Sequence, residues 1–322
     1  MRTTVTALAD KLQTEADAWE FLEGLRWPNG PACPRCQGTD VYLIVPKNGV
    51  SRRTSSGSMS ERRAWQCRPC RRQFTATTGT MMHGTKIPLR TWVLVIFEMC
   101  ASKNGVAARE IERKYGLCAR SAWFLMHRIR EAMRNDALVG AMRGTIQMDE
   151  TWVGGDPKNW HQQGRKRYSG EYRKTKKAIV FSLINADTGE VRSRVVPNVT
   201  GHVLRKALAE QVDMANSVLY TDAALRYRGI GQEFIAHEWV DHEAREYARG
   251  GVTVNRAEGY FSQLKRSIDG THHHVSREHL ARYLAEFDYR YTTKHLTDGD
   301  RMAALVERGE GRRLTYKRVR TR

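Results

Sequence analysis

Three acidic residues and four cysteines stand out in this chain by type and by spacing. Asp149 closes the run Ile146-Gln147-Met148, and Asp222 closes Val218-Leu219-Tyr220-Thr221. Glu258 follows Asp222 after 35 intervening residues, near the start of a helical pattern. Three carboxylates brought together repel one another unless a cation joins them, and hard oxygen ligands select Mg²⁺ or Mn²⁺. A pair of such ions can activate an attacking oxygen and stabilise a leaving one at phosphorus. Glu150 adjoins Asp149, but successive strand residues point to opposite faces. It is expected behind the site, supporting it or forming an ion pair.

The cysteines suggest a different chemistry. Cys33-Pro-Arg-Cys36 and Cys67-Arg-Pro-Cys70 are two CxxC knuckles with 30 residues between them. Paired knuckles of this kind surround one Zn²⁺ tetrahedrally, and a site closed by four thiolates has no open position for catalysis. One structural zinc is expected. Cys100 and Cys118 lie on helical patterns and read as small buried hydrophobes. The tract His272-His273-His274 is expected to pack near the acids or DNA rather than to hold its own metal.

The charge names the kind of partner. Among 322 residues, 54 are Lys or Arg and 35 are Asp or Glu, a net charge of +19. That excess calls for a polyanion. The longest apolar run, Trp92–Cys100, is interrupted by Glu98 and is too short to span a bilayer. The start, MRTTVTALADKL, has no signal-peptide core. Nucleic acid is therefore favoured over a membrane surface, and six unevenly placed cysteines fit a reducing, cytoplasmic setting.

The elements that must position these residues follow from periodicity. A short helix is expected over Ala16–Arg26, then the knuckles, joined by the polar loop Pro46–Arg63. Three helices follow: one through Trp92, Val95, Ile96 and Met99, one over Ala107–Tyr115 ended by Gly116, and one over Ala119–Met133. Short helix, glycine turn, longer basic helix is a helix-turn-helix pattern. From Thr145 the period changes to two. Strands are expected at Ile146–Asp149, Ala178–Ile184, Val191–Val196, Ser217–Thr221 and Phe234–Val240. Helices are expected at Val203–Met214, Arg256–Ile268 and Arg277–Tyr289, and a basic mobile loop at Gly154–Lys177. The fold class is α/β with a mixed sheet. The expected domains are 1–87 (helix and zinc ribbon), 88–140 (helix-turn-helix), 141–300 (catalytic) and a basic tail, 301–322.

The motifs MDETWVGG (148–155), YTDAALRY (220–227), VNRAEGYFSQLKRSIDGTHHHVS (254–276) and ARYLAEFDYRY (281–291) resemble those of bacterial insertion-sequence transposases of the zinc-ribbon, DDE type. The resemblance covers almost the whole chain. It implies an RNase H-like catalytic domain with Asp149, Asp222 and Glu258 as catalytic acids. It also implies Mg²⁺-dependent cleavage at transposon ends, then joining of the 3′-OH to target DNA by a dimer acting in the nucleoid. Lys265 matches the basic residue expected after the third acid, seven positions on and so on the same helical face. With Arg266 it is expected on a DNA phosphate. Some relatives use Asn at the third position, and here Asn255 precedes Glu258 by three, so it is read as support for that acid. Arg120, His127, Arg128 and Arg130 are expected to reach end DNA from the helix-turn-helix. In the basic loop, Lys174, Lys176 and Lys177 are expected on the phosphate backbone. Two rival readings remain at this point: a DNA-binding regulator, and an RNase H-like nuclease without strand transfer.

Overall fold

Two helices open the chain, α1 (Val5–Lys11) and α2 (Glu15–Arg26), in a computed structural model that describes residues 3–45, 62–135, 140–154, 177–224, 227–241, 244, 246 and 248–316. Thr14 accepts from the Asp17 N–H while the Asp17 carboxylate accepts from the Thr14 N–H, a reciprocal cap that fixes where α2 starts. Short antiparallel strands β1 (Val41–Leu43), β2 (Trp65–Cys67) and β3 (Gln73–Phe74) form a three-stranded ribbon. Of the expected loop Pro46–Arg63, residues 46–61 lie outside the described residues, as do 155–176 of the basic loop and 317–322 of the tail.

Helix α3 (Leu89–Ala101) follows Pro88, and the Glu15 carboxylate accepts from the N–H groups of Leu89 and Arg90 at 2.6 and 3.2 Å. Helices α4 (Ala108–Tyr115) and α5 (Ala119–Met133) are joined through Gly116, whose φ of 62° is the left-handed turn that glycine adopts without strain. Trp92, Ile96, Met99, Ile111, Met126 and Ile129 are buried, as their helical spacing requires. A helix at Asp298–Arg308 belongs to the same compact unit, which comprises Met1–Ser102, Val106–Met133 and Leu296–Arg322. The sequence reading placed a basic tail from 301, with no helix there. Instead Thr297 caps this helix, and Met302, Leu305 and Val306 are buried.

The second unit, Lys103–Gly105 with Arg134–His295, is built on a five-stranded sheet. Its strands are β4 (Met142–Val153), β5 (Ala178–Asn185), β6 (Val191–Val196), β7 (Val212–Asp222) and β8 (Ala236–Val240), in the order β6-β5-β4-β7-β8. β4–β5 and β5–β6 are antiparallel, and β4–β7 and β7–β8 are parallel. Helix α6 (Gly201–Ala209) connects β6 to β7. The expected helix ran to Met214, because Leu204, Leu208 and Val212 fall four apart. In fact Val212 pairs with Met142 and begins the strand. A single helical turn lies at Arg228–Gly231, and the two long helices that follow are α7 (Asn255–Ser267) and α8 (Arg277–Thr292), with a π-turn at Ile268–His272 between them.

The sheet has a core on each face. One joins Val153, Val180 and Ile184 to Tyr260, Phe261, Leu264, Leu284 and Phe287 of α7 and α8. The other joins Ile146, Met148, Phe181 and Leu183 to Leu204 and Leu208 of α6 and to Tyr227. This mixed α/β unit, with helices on both faces, is an RNase H-like fold.

Candidate active site and zinc centre

Strand register decides where the first two acids lie. Gln147 of β4 is level with Tyr220 of the parallel strand β7. Asp149 and Asp222 each lie two residues beyond this last β4–β7 pair, so by strand alternation they share its face, and the charge of Asp222 is felt at Asp149. That face is the one covered by α7. The Gln147 side chain, on the same face, accepts a hydrogen bond from the Arg256 N–H at 3.1 Å. Residue Val254, which precedes α7, provides no side-chain cap, so Gln147 satisfies an N–H that would otherwise lack a partner. Glu258 lies in that same first turn, where the helix dipole favours a carboxylate.

Burial pushes the half-buried Asp149 carboxyl up to about 7. The Glu150 N–H, donated to Asp149 Oδ1 at 2.7 Å, works against this, while the charges of Glu150, Asp222 and Glu258 add to it. The three acids thus share one electrostatic neighbourhood. Their oxygens are not gathered as tightly as the zinc-centre sulfurs described below. A carboxyl that resists ionisation, with two further hard-oxygen acids in its neighbourhood, fits a divalent cation of the Mg²⁺ or Mn²⁺ type. Glu150 lies on the opposite face, buried, and accepts from the Tyr227 hydroxyl.

Asn255 is exposed at the first position of α7. Lys265 and Arg266 are exposed in its last turn, with Lys265 about 10 Å along the axis from Glu258. His272 packs edge-on against Tyr283 and Phe287 of α8, and His273 and His274 are exposed.

Sequence reading missed Asp288. It is buried on α8 and ties together three elements: its Oδ1 accepts from Tyr260 of α7 at 2.6 Å and from the Ser193 hydroxyl of β6 at 2.7 Å, and its Oδ2 accepts from the Ser193 N–H at 2.8 Å. The signal was available: an acid four residues after Leu284 and eight after Leu280, on the apolar stripe of the helix. Burial raises its carboxyl to about 7, against the pull of these donors. A folded value above the ordinary aspartate range means that the folded state holds the proton more tightly. The resulting stability is complete below about 4 and is lost as pH rises through about 7. Unfolding by denaturant from pH 4 to 8 should therefore show the wild type losing stability relative to Asp288→Asn. Parallel profiles would contradict this.

In the N-terminal unit the four sulfurs of Cys33, Cys36, Cys67 and Cys70 lie within 4.8 Å of one another. The Gln37 N–H donates to the Cys33 carbonyl at 2.8 Å, and Gln37 and Arg71, just after each second cysteine, have φ of 58° and 54°. These left-handed turns wrap each knuckle around its sulfurs. Burial opposes the Cys33 thiolate, but the N–H groups of Cys36 and Arg35 outweigh it and bring the thiol down to about 7. A tetrahedral Zn²⁺ fits this set.

The helix-turn-helix cations require a correction. Arg120 is exposed, but His127, Arg128 and Arg130 are buried. Arg128 donates to the His83 carbonyl at 2.7 Å and lies over the rings of Trp92 and Phe124. His127 packs on Trp123 at 4.1 Å between ring centroids. These side chains belong to the helical core, so the expectation that they face DNA does not hold. Lys177, just before β5, is partly buried, and Lys174 and Lys176 lie outside the described residues.

Residues 141–292 match the family model of the ISXO2-like transposase domain, and residues 13–73 match that of the transposase zinc-ribbon domain. The chain belongs with the zinc-ribbon DDE transposases. The matched ranges contain all three acids and all four cysteines of the two sites. The chain is also similar to an uncharacterized protein in transposable element ISH50 of Halobacterium salinarum, 25% identical over 284 residues that cover 86% of this chain and 90% of the relative. Among the described residues, no helix is long and apolar enough to cross a membrane.

Proposed function

We propose that this transposase binds the ends of its element, cleaves there, and joins the freed 3′-OH to target DNA by metal-dependent phosphoryl transfer. The observation that carries the reading is the placement of Asp149 and Asp222 on one face of neighbouring parallel strands, each two residues beyond the Gln147–Tyr220 pair, with the charges of Asp222 and of Glu258 on the covering helix both acting on Asp149. A pair of Mg²⁺ or Mn²⁺ ions, when bound, supplies Lewis acidity at the scissile phosphate and lowers the pKa of the attacking group. The protein's part is positional. Asp149, Asp222 and Glu258 hold the ions, Asn255 orients Glu258 or the phosphate, and Lys265 and Arg266 hold the strand further along α7. Arg120 and the basic loop, with Lys174, Lys176 and Lys177, add phosphate contacts. The zinc ribbon and the helices around Gly116 read the end sequence, and the chain acts as a dimer on DNA.

Purified zinc-loaded protein with its element's end DNA should cleave in Mg²⁺ and bind without cleaving when Mg²⁺ is left out. Equal binding in both conditions with no cleavage in either would favour a regulator. With a net charge of +19, affinity should fall on the order of 10³-fold between about 50 and 200 mM salt, measured by fluorescence anisotropy. A flat salt dependence would contradict the phosphate contacts.

The third acid has its own test. A carboxylate brings a full charge to a hard cation and an amide brings only a dipole. Single-turnover cleavage at saturating DNA should therefore drop by about two orders of magnitude or more for Glu258→Gln. Asn255→Ala should lose about ten-fold. A dead Asn255→Ala beside a nearly normal Glu258→Gln would give the third position to Asn255.

A further inference from the structure

Glu258 is bracketed by two hydrogen bonds to buried side chains that hold its helix on either side. Two residues before it, the Arg256 N–H is held by Gln147, which is 1% exposed and lies two residues before Asp149 on the same face of β4. Two residues after it, the Tyr260 hydroxyl is held by Asp288, which is itself anchored to β6 through the Ser193 side chain and backbone. Tyr260 is 1% exposed and Asp288 4%. A carboxylate and an amide in such surroundings are costly unless their bonds are used. Both are used to fix one helical turn, and neither faces solvent or DNA.

We propose that Gln147 and Asp288 are positioning residues that set the height and rotation of the α7 turn carrying Glu258 over Asp149. The inference rests on the reading of the acids as metal ligands. Gln147 ties the third acid's helix directly to the first acid's strand, so a shift of that turn changes the separation between the two carboxylates. Asp288, acting through Tyr260, stops the turn from rotating about its axis. Precise ligand placement governs metal affinity, and removing such supporting contacts commonly weakens it by about 10–100-fold.

The test uses the full-length, zinc-loaded chain and Mn²⁺ alone as the probe, followed by electron paramagnetic resonance. Gln147→Met keeps side-chain length without the acceptor, and Tyr260→Phe keeps the ring without the hydroxyl. Each should raise the half-saturating Mn²⁺ concentration about ten-fold. Cleavage of end DNA should fall at low Mg²⁺ and recover at high Mg²⁺. A merely structural role would lower the melting temperature and leave the Mn²⁺ midpoint alone. Glu258→Gln is the control. If it weakens Mn²⁺ binding while both other variants keep the wild-type midpoint, the positioning role is wrong and the acid assignment stands. If Glu258→Gln binds and cleaves like wild type, the acid assignment fails and the positioning role falls with it. Should one variant melt below the assay temperature, the midpoint of the other decides.

Discussion

Asp149→Asn and Asp222→Asn are each expected to reduce cleavage and joining by on the order of 10³-fold or more. Binding of end DNA should be unchanged or tighter. Each substitution keeps the shape of the side chain and removes one negative ligand from a site that depends on cation placement. It also removes a charge facing the DNA. Because the charges of Asp222 and Glu258 press on the Asp149 carboxylate, losing Asp149 or Asp222 should relieve repulsion, so neither variant should melt below the wild type. Single-turnover cleavage, filter binding and thermal melts on the same preparations check all three parts. Wild-type cleavage by Asp149→Asn would remove it from the site, and a parallel loss of binding and melting temperature would assign it a structural role.

Removal of zinc should have an equally large effect, confined to the other unit. The ribbon has a small core, with Cys33, Cys67 and Phe74 buried and Trp27, Val41 and Trp65 packed against them. Such a core does not hold three short strands without a staple. Structural zinc in small modules contributes roughly 10–16 kcal/mol of binding free energy coupled to folding. Chelation or Cys36→Ser should therefore unfold the ribbon and abolish preference for end DNA over unrelated DNA. The cores on the two faces of the five-stranded sheet contain none of these residues, and hydrogen exchange there should stay protected. Metal analysis should find one zinc per chain. A zinc-free preparation with a protected ribbon would refute the centre.

Much of this arrangement was legible in the sequence because it depends on local period. Strand alternation placed Asp149 and Glu150 on opposite faces, and the glycine after Tyr115 ended α4. Contacts between distant segments were not legible. Gln147 and Arg256 are 109 residues apart, so nothing near either residue announces their bond. Charge was a poor guide on α5: Arg128 counts as a cation in any sequence tally, yet its guanidinium lies on Trp92, a helix away. At Val212 two periods competed. An apolar residue every four positions suits a helix, and pairing with Met142 settled it as strand. At the C-terminus the signal was present but masked. Thr297 followed by Asp298 and Asp300, with Met302, Leu305 and Val306 spaced to share a face, is a capped amphipathic helix, and the basic residues beyond it drew attention away.

The most direct test of the central claim is strand transfer itself. A donor carrying the element's end with a pre-exposed 3′-OH should be incubated with zinc-loaded wild-type chain and a plasmid target, with Mg²⁺ and without added Mg²⁺. The account predicts covalent donor–target joints in Mg²⁺ only, and none with Asp149→Asn or Asp222→Asn. Nicking of DNA in Mg²⁺ without joints would make the protein a nuclease, and joints formed by either variant would contradict the assignment of the acids.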